Sequence, residues 1–165
     1  MQNKIEEQLD RIFSVYIRLK YADHAGFVSC FTCTIRRKWQ EMDAGHFISR
    51  SNKSTRWDEE NVFPQCIEDN RFYGSKHDVF EEVLRDILGE DGFSELLKRS
   101  RLPPPSDDQM RKLIIHYTLL VKKMGKVIIY KSRTRLLHCH RYSTTEKPPV
   151  SRRFGLLWSY PQVSF

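Results

Sequence analysis

The sequence predicts an α+β fold, a small metal-supported core of short strands packed among helices and followed by a basic tail. Three observations carry the prediction. Apolar residues recur at helical spacing at the N-terminus and again after residue 78. Between those stretches, Cys30-x-x-Cys33 and Cys66 bracket short runs of strand character. From Lys131 onward the helical period disappears.

Charge separates the same regions. The net charge is +7, and residues 131–165 hold seven Lys/Arg against one acid, so the tail carries most of the excess. A basic tail suits a phosphate-backbone partner. The tail is expected to be disordered. Crossing a bilayer takes roughly 20 apolar residues, and no run here is that long. The start, MQNKIEEQLD, lacks the apolar region of a secretory signal. Four cysteines in such a chain point to metal or free thiols, not a disulfide framework.

Residues 3–20 read as a helix, because Ile5, Leu9, Ile12, Phe13, Tyr16 and Ile17 share one face. Asn3 with Glu6 gives a capping-box pattern. His24-Ala25-Gly26-Phe27-Val28 leads into a strand ending at Cys30. A C-x-x-C turn lets two thiolates meet one ion, although a redox pair has the same spacing. No thioredoxin-like βαβ pattern surrounds it, and Cys66 supplies a third thiol. The fourth position, three residues after Cys66, is Asp69. Carboxylate is an acceptable but less common ligand for zinc, so the predicted structural site is Cys30, Cys33, Cys66 and Asp69.

Trp39–Ile48 reads as a strand with Asp43 and His46 near its end. A histidine beside metal ligands can serve as a general base near neutral pH. Ser49–Thr55 is a polar loop, and Arg50, Lys53, Arg56 and Arg71 are candidate nucleic-acid contacts. Trp57 stacks or packs. Asn61 precedes a short strand at Val62 and Phe63, and Gln65–Tyr73 reads as a short helix broken at Gly74. Successive helical side chains diverge by about 100°, so Asp69 can face one metal while Asn70 faces the histidine.

Beyond the site, His77 reads as a loop or capping residue, and Asp78 with Glu81 opens a helix that Gly89 stops. A short helix over Phe93–Leu97 precedes a rigid connector, Leu102-Pro103-Pro104-Pro105. Ser106 with Gln109 is a second capping-box pattern. It opens a helix from Met110 to Met124 that is expected to stop at Gly125. In the tail, His138-Cys139-His140 is a weak metal motif, and Phe154, Trp158 and Tyr160 offer stacking surfaces for single-stranded DNA.

Taken in order, Cys30-x-x-Cys33, Asp43-Ala44-Gly45-His46, Arg56-Trp57-x-x-x-Asn61, Gln65-Cys66 and Asn70 resemble the ββα-metal (HNH) arrangement. Within it the chain resembles the phage NinG/Rap recombination nuclease family, from about Ile5 to about Met124. The chain departs from that family where a second C-x-x-C would end, because Asp69 stands in place of a cysteine. The resemblance implies a nuclease domain over 1–130, with its core at about 27–77, and a non-family tail over 131–165. It implies that His46 is the general base and that Asn61 orients it. Asn70 and Asp43 would bind a catalytic Mg²⁺ or Mn²⁺ beside the structural Zn²⁺. The implied activity is metal-dependent endonuclease cleavage of branched DNA, such as Holliday junctions or D-loops, during phage recombination. The implied partners are that DNA and a phage recombinase, in the cytoplasm of the bacterial host and away from membranes. Two other readings stand beside it: a catalytically weak zinc-stabilised DNA-binding module, and a phage interaction protein recruited by its tail. His46, Asn61 and Asn70 occurring together favour the enzyme, since a binding module has no need of that set.

Overall fold

The computed structural model describes residues 4–72 and 74–134, with side chains as far as residue 125 except at residue 75. Its first element, α1, is Lys4–Lys20, with Glu6 and Glu7 in the first turn and Arg18 and Lys20 in the last, as the helix dipole favours. The predicted apolar face is the buried one. Leu9, Phe13, Tyr16 and Ile17 pack with Trp57, Val62, Met110 and Tyr117. Burying a side chain of the Leu or Phe kind contributes about 1.5–3 kcal/mol, so this face alone anchors the helix. Asn3 lies outside the described residues. The Glu6 carboxylate is engaged by Lys53 and Arg56, 2.6 and 3.7 Å away.

Two antiparallel hairpins follow. Strand β1, Phe27–Ser29, pairs with β2, Arg36–Lys38. Strand β3, Met42–His46, pairs with β4, Val62–Cys66, so that Met42 faces Cys66 and His46 faces Val62. The expected strand over Trp39–Ile48 is therefore shorter, because Trp39–Glu41 is a 3-10 turn. The expected helix at Gln65 also begins later. Gln65 and Cys66 complete β4, every residue of which is buried, and the coil follows them, with Glu68–Phe72 as one π-helical turn. Pairing with β3 satisfies the backbone there, so the ladder overrides local helical preference.

The long helix α2 is His77–Arg99, interrupted at Gly89 by a backbone that is not helical (φ 68°, ψ 170°). Gly89 thus breaks the helix as expected, and the chain resumes coiling at once. Asp78 is not the cap, since α2 is preceded by Lys76 in a left-handed conformation. Phe80, Leu84, Phe93 and Leu96 of α2 pack with Phe31, Phe47 and Phe63. The third helix, α3, is Asp107–Thr134. Its capping box forms as predicted: Ser106 N–H donates to Gln109 Oε1 at 2.8 Å, and Gln109 N–H to Ser106 Oγ at 3.3 Å. The expected stop at Gly125 does not occur. One interior glycine costs a helix only about 1 kcal/mol relative to alanine, which a helix of this length absorbs. The proposed tail over 131–165 consequently begins inside α3, and residues 135–165, including His138, Cys139, His140, Phe154, Trp158 and Tyr160, lie outside the described residues. None of the described helices is long and apolar enough to cross a membrane.

The β3–β4 hairpin is tightest at Gly45. A Cβ there would lie 2.0 Å from Gln65 Oε1 and 2.7 Å from its Cδ. Gln65 is fully buried and its Nε2 donates to Thr32 Oγ1 at 3.0 Å, so it cannot swing into solvent without losing that bond. Gly45→Ala is expected to destabilise the fold by about 1–3 kcal/mol, the usual range for overpacking. Combining it with Gln65→Ala should cost less than the two single changes added. Denaturant melts of the three variants check this, and strict additivity would rule out the steric account.

Candidate functional site

Four ligand-bearing side chains converge where the hairpins meet. Cys30 directly follows β1, which ends one residue earlier than expected, Cys33 lies in the β1–β2 turn, Cys66 ends β4, and Asp69 sits on the π-helical turn. Their ligand atoms all lie within 4.8 Å of one another. Cys33 Sγ and Cys66 Sγ are 3.8 Å apart, and Cys30 Sγ is 3.7 Å from Asp69 Oδ2. Metal–sulfur bonds of about 2.3 Å in a tetrahedron place neighbouring ligands about 3.8 Å apart, so the set fits a four-coordinate ion. Backbone amides support the sulfurs, with Cys66 N–H directed at Cys30 Sγ (3.3 Å) and Asp69 N–H at Cys66 Sγ (3.5 Å). Burial pushes the Cys33 and Cys66 thiols up from their ordinary values, so a bound cation must displace protons there. Burial acts to raise Asp69 as well, but hydrogen bonds from Lys76 and Thr32 hold it below the usual carboxylate range.

A second pair forms beside this cluster. Asn70 Nδ2 donates to Asp43 Oδ2 at 3.0 Å. Arg71 closes on the same carboxylate with Nε to Oδ2 at 2.7 Å and Nη2 to Oδ1 at 2.8 Å. Burial works to raise the Asp43 pKa, but Arg71 and Asn70 outweigh it and keep Asp43 ionised. A carboxylate and an amide meeting here can offer oxygen ligands to a hard divalent cation, once the amide turns its Oδ1 toward it.

His46 occupies the other face of β3. Alternation directs Ala44 and His46 toward α1, where they line a cavity of about 270 Å³ with Asp10, Arg11, Phe13, Ser14, Arg50 and Arg56. His46 Nε2 lies 3.0 Å from the Arg56 carbonyl. A carbonyl only accepts, so Nε2 carries the hydrogen and the lone pair falls to Nδ1. Burial lowers the His46 pKa below its ordinary value and nearby Arg50 adds to this, while the Arg56 carbonyl, the Ala44 backbone and the Asp10 carboxylate oppose it. The ring is therefore neutral at pH 7.

The expectation that Asn61 orients His46 takes a different form. Asn61 is fully buried. Its Oδ1 accepts from Ile48 N–H at 2.7 Å, and its Nδ2 donates to the Ile48 and Thr55 carbonyls at 3.1 and 2.9 Å. It holds the backbone of the loop after β3, and so reaches His46 only through that loop.

The candidate DNA contacts are engaged within the protein. Asp10 accepts from Arg50 Nη2 (2.6 Å), Arg56 Nε and Nη2 (2.9 and 2.5 Å) and Trp57 Nε1 (2.9 Å). Arg56 is buried, and Lys53 pairs with Glu6. Trp57 packs in the core, and His77 stacks on Phe47 at 4.5 Å between centroids. Sequence reasoning missed Asp10, Thr32 and Lys76, and read Glu6 only as a capping residue. The partners of Glu6, Asp10 and Thr32 stand too far along the chain for a local pattern to reveal them, and Lys76 meets the nearby Asp69 across a segment with no regular repeat.

The family model described as Bacteriophage Lambda NinG protein matches residues 1–127. No curated protein and no solved structure matches the chain.

Two outcomes follow from this geometry. Because buried thiols must lose protons to bind, apparent metal affinity should fall as pH is lowered from 8 to 6. Chelator competition across that range checks it, and a flat response would sink thiolate ligation. Asn61→Ala leaves backbone groups of Ile48 and Thr55 unpaired, at about 1–3 kcal/mol for each buried group. Thermal unfolding should show a loss of that size with metal content unchanged, whereas a neutral variant would dismiss the loop-holding role.

Proposed function

This chain belongs to the Bacteriophage Lambda NinG family, and from that premise we propose that it is a metal-dependent DNA endonuclease of the ββα-metal kind that cuts branched DNA in phage recombination. The ββα unit would be β3, β4 and the turn over Glu68–Phe72. The observation that carries the reading is the meeting of Asp43 with Asn70; a neutral His46 held at Nε2 stands three residues along β3, on the strand's other face.

The cysteines and Asp69 would hold a structural Zn²⁺, which ties the hairpins together. Asp43 and Asn70 would hold Mg²⁺ or Mn²⁺, which supplies charge stabilisation at the scissile phosphate and its leaving oxygen. His46 would accept a proton from the attacking water at Nδ1, since its Nε2 hydrogen is directed at the Arg56 carbonyl. Arg56 thereby acts through its backbone, and its guanidinium fixes that backbone by pairing with Asp10. Asn61 keeps the loop between His46 and Arg56 in register. The substrate is branched DNA, the working partner a phage recombinase, and the compartment the cytoplasm of the bacterial host. The alternative is a DNA-binding module without cleavage, which draws support from Arg71 occupying both oxygens of Asp43.

His46→Ala separates the two. It removes no proposed metal ligand, so zinc content and junction binding should stay near wild type, while Mg²⁺- or Mn²⁺-dependent cleavage of four-way DNA falls by at least about 10²-fold. A wild-type protein that binds junctions and never cuts them would favour the binding module. The pH profile tests the base itself. A base must be neutral to accept a proton, and the His46 pKa lies below its ordinary 6.5. Cleavage should therefore persist somewhat below pH 6.5 and then decline, while a decline centred above that value would remove His46 from the role.

A further inference from the structure

Asp69 is one of the most buried acids described, and its two oxygens have different neighbours. Oδ2 lies 3.7 Å from Cys30 Sγ and accepts from Thr32 Oγ1 at 2.8 Å. Oδ1 lies 2.9 Å from Lys76 Nζ. Thr32 is itself buried, and Gln65 Nε2 donates to its hydroxyl. Lys76 is the only non-glycine among the described residues with positive φ, at 44°, immediately before α2. A left-handed lysine is uncommon and persists only where its surroundings over-determine it.

We propose that Lys76 and Thr32 make an aspartate competent as the fourth ligand of the cysteine site, by fixing Oδ2 toward the thiolates and holding Oδ1 away from the ion. The inference rests on the four residues binding a metal. A thiolate ligand is a single atom and needs no such orientation. A carboxylate has two oxygens and can turn, chelate through both or swing out. Thr32 marks the oxygen that faces the sulfurs, and Lys76 occupies the other. Three thiolates and a carboxylate also carry more negative charge than a dication cancels, and the Lys76 ammonium offsets part of that excess. Partners of this outer kind typically control metal affinity by about 10–100-fold. Lys76 is thus a positioning residue whose task exists because position 69 is an aspartate.

That dependence makes the test a cycle. Zinc affinity is measured by chelator competition on the full-length protein as wild type, Lys76→Met, Asp69→Cys and the double variant. Lys76→Met should weaken zinc by about 10–100-fold with Asp69 present and by less than about 3-fold in the Asp69→Cys background. Lys76→Arg should recover most of the loss, because it restores the charge beside Oδ1. Cobalt substitution gives a second readout. The visible Co²⁺ bands should shift in Lys76→Met, as the carboxylate turns or leaves, and stay fixed between Asp69→Cys and the double variant. Equal losses in both backgrounds would overturn the proposal, since Lys76 would then act through the start of α2 alone. An unchanged affinity in Lys76→Met would overturn it too. A wild-type protein that takes up neither zinc nor cobalt would defeat the metal site itself, and that failure is distinct from the other two.

Discussion

Three thiols and a carboxylate gathered within 4.8 Å form the constraint on which the middle of this protein depends. Without a cation, such a group is held together against its own chemistry. Burial keeps two of the thiols protonated, and the carboxylate leans on Lys76 and Thr32. With a cation, the same four residues become a crosslink between segments that also meet through Phe31 and Phe63, stacked at 4.1 Å, and through Val28 and Met42. The strands β1 and β2 have three residues each, too short to stand alone. Their attachment to β4 runs through the cysteines and through the Phe31 amide, which donates to the Pro64 carbonyl at 2.8 Å.

The Ala44 and His46 end of the β3–β4 hairpin is governed by α1. That helix does two jobs with two faces. Its apolar face meets α3, where the tilted rings of Tyr16 and Tyr117 lie 4.7 Å apart between centroids and both hydroxyls donate to Glu59. Its acidic margin, Glu6 and Asp10, gathers Arg50, Lys53, Arg56 and Trp57 from the loop between β3 and β4. Asn61 fixes the same loop from beneath. The His46 ring therefore meets a carbonyl whose position is determined by an ion pair, a buried amide and a tryptophan together.

Much of this was legible in the sequence where the signal is local or the spacing is chemical. The apolar face of α1, the reciprocal Ser106–Gln109 cap and the break at Gly89 each follow from neighbours within a few residues. The cysteine spacing also brought Asp69 into the cluster, although nothing in a sequence fixes which oxygen faces inward. The misses share a physical cause. Arg36-Arg37-Lys38 has no apolar alternation, so β2 was invisible, and it exists because its backbone pairs with β1. Arg50, Lys53 and Arg56 look like a phosphate-binding loop because their carboxylates stand forty or more residues earlier. Asn61 looked like a partner for a side chain, and its partners are backbone groups, which carry no sequence signature.

The Asp10 cluster has a consequence for how nucleic acid would be felt at a distance. Cations that bind DNA ordinarily displace condensed counterions, and each phosphate neutralised adds about 0.9 to the slope of log affinity against log salt. Arg50, Lys53 and Arg56 already have carboxylate partners. A phosphate approaching them exchanges one ion pair for another and must pull the loop from α1 to do so. The loop's positive charge is thus partly offset, three cations sharing the carboxylates of Glu6 and Asp10. Long-range attraction of nucleic acid by this loop would be correspondingly weak.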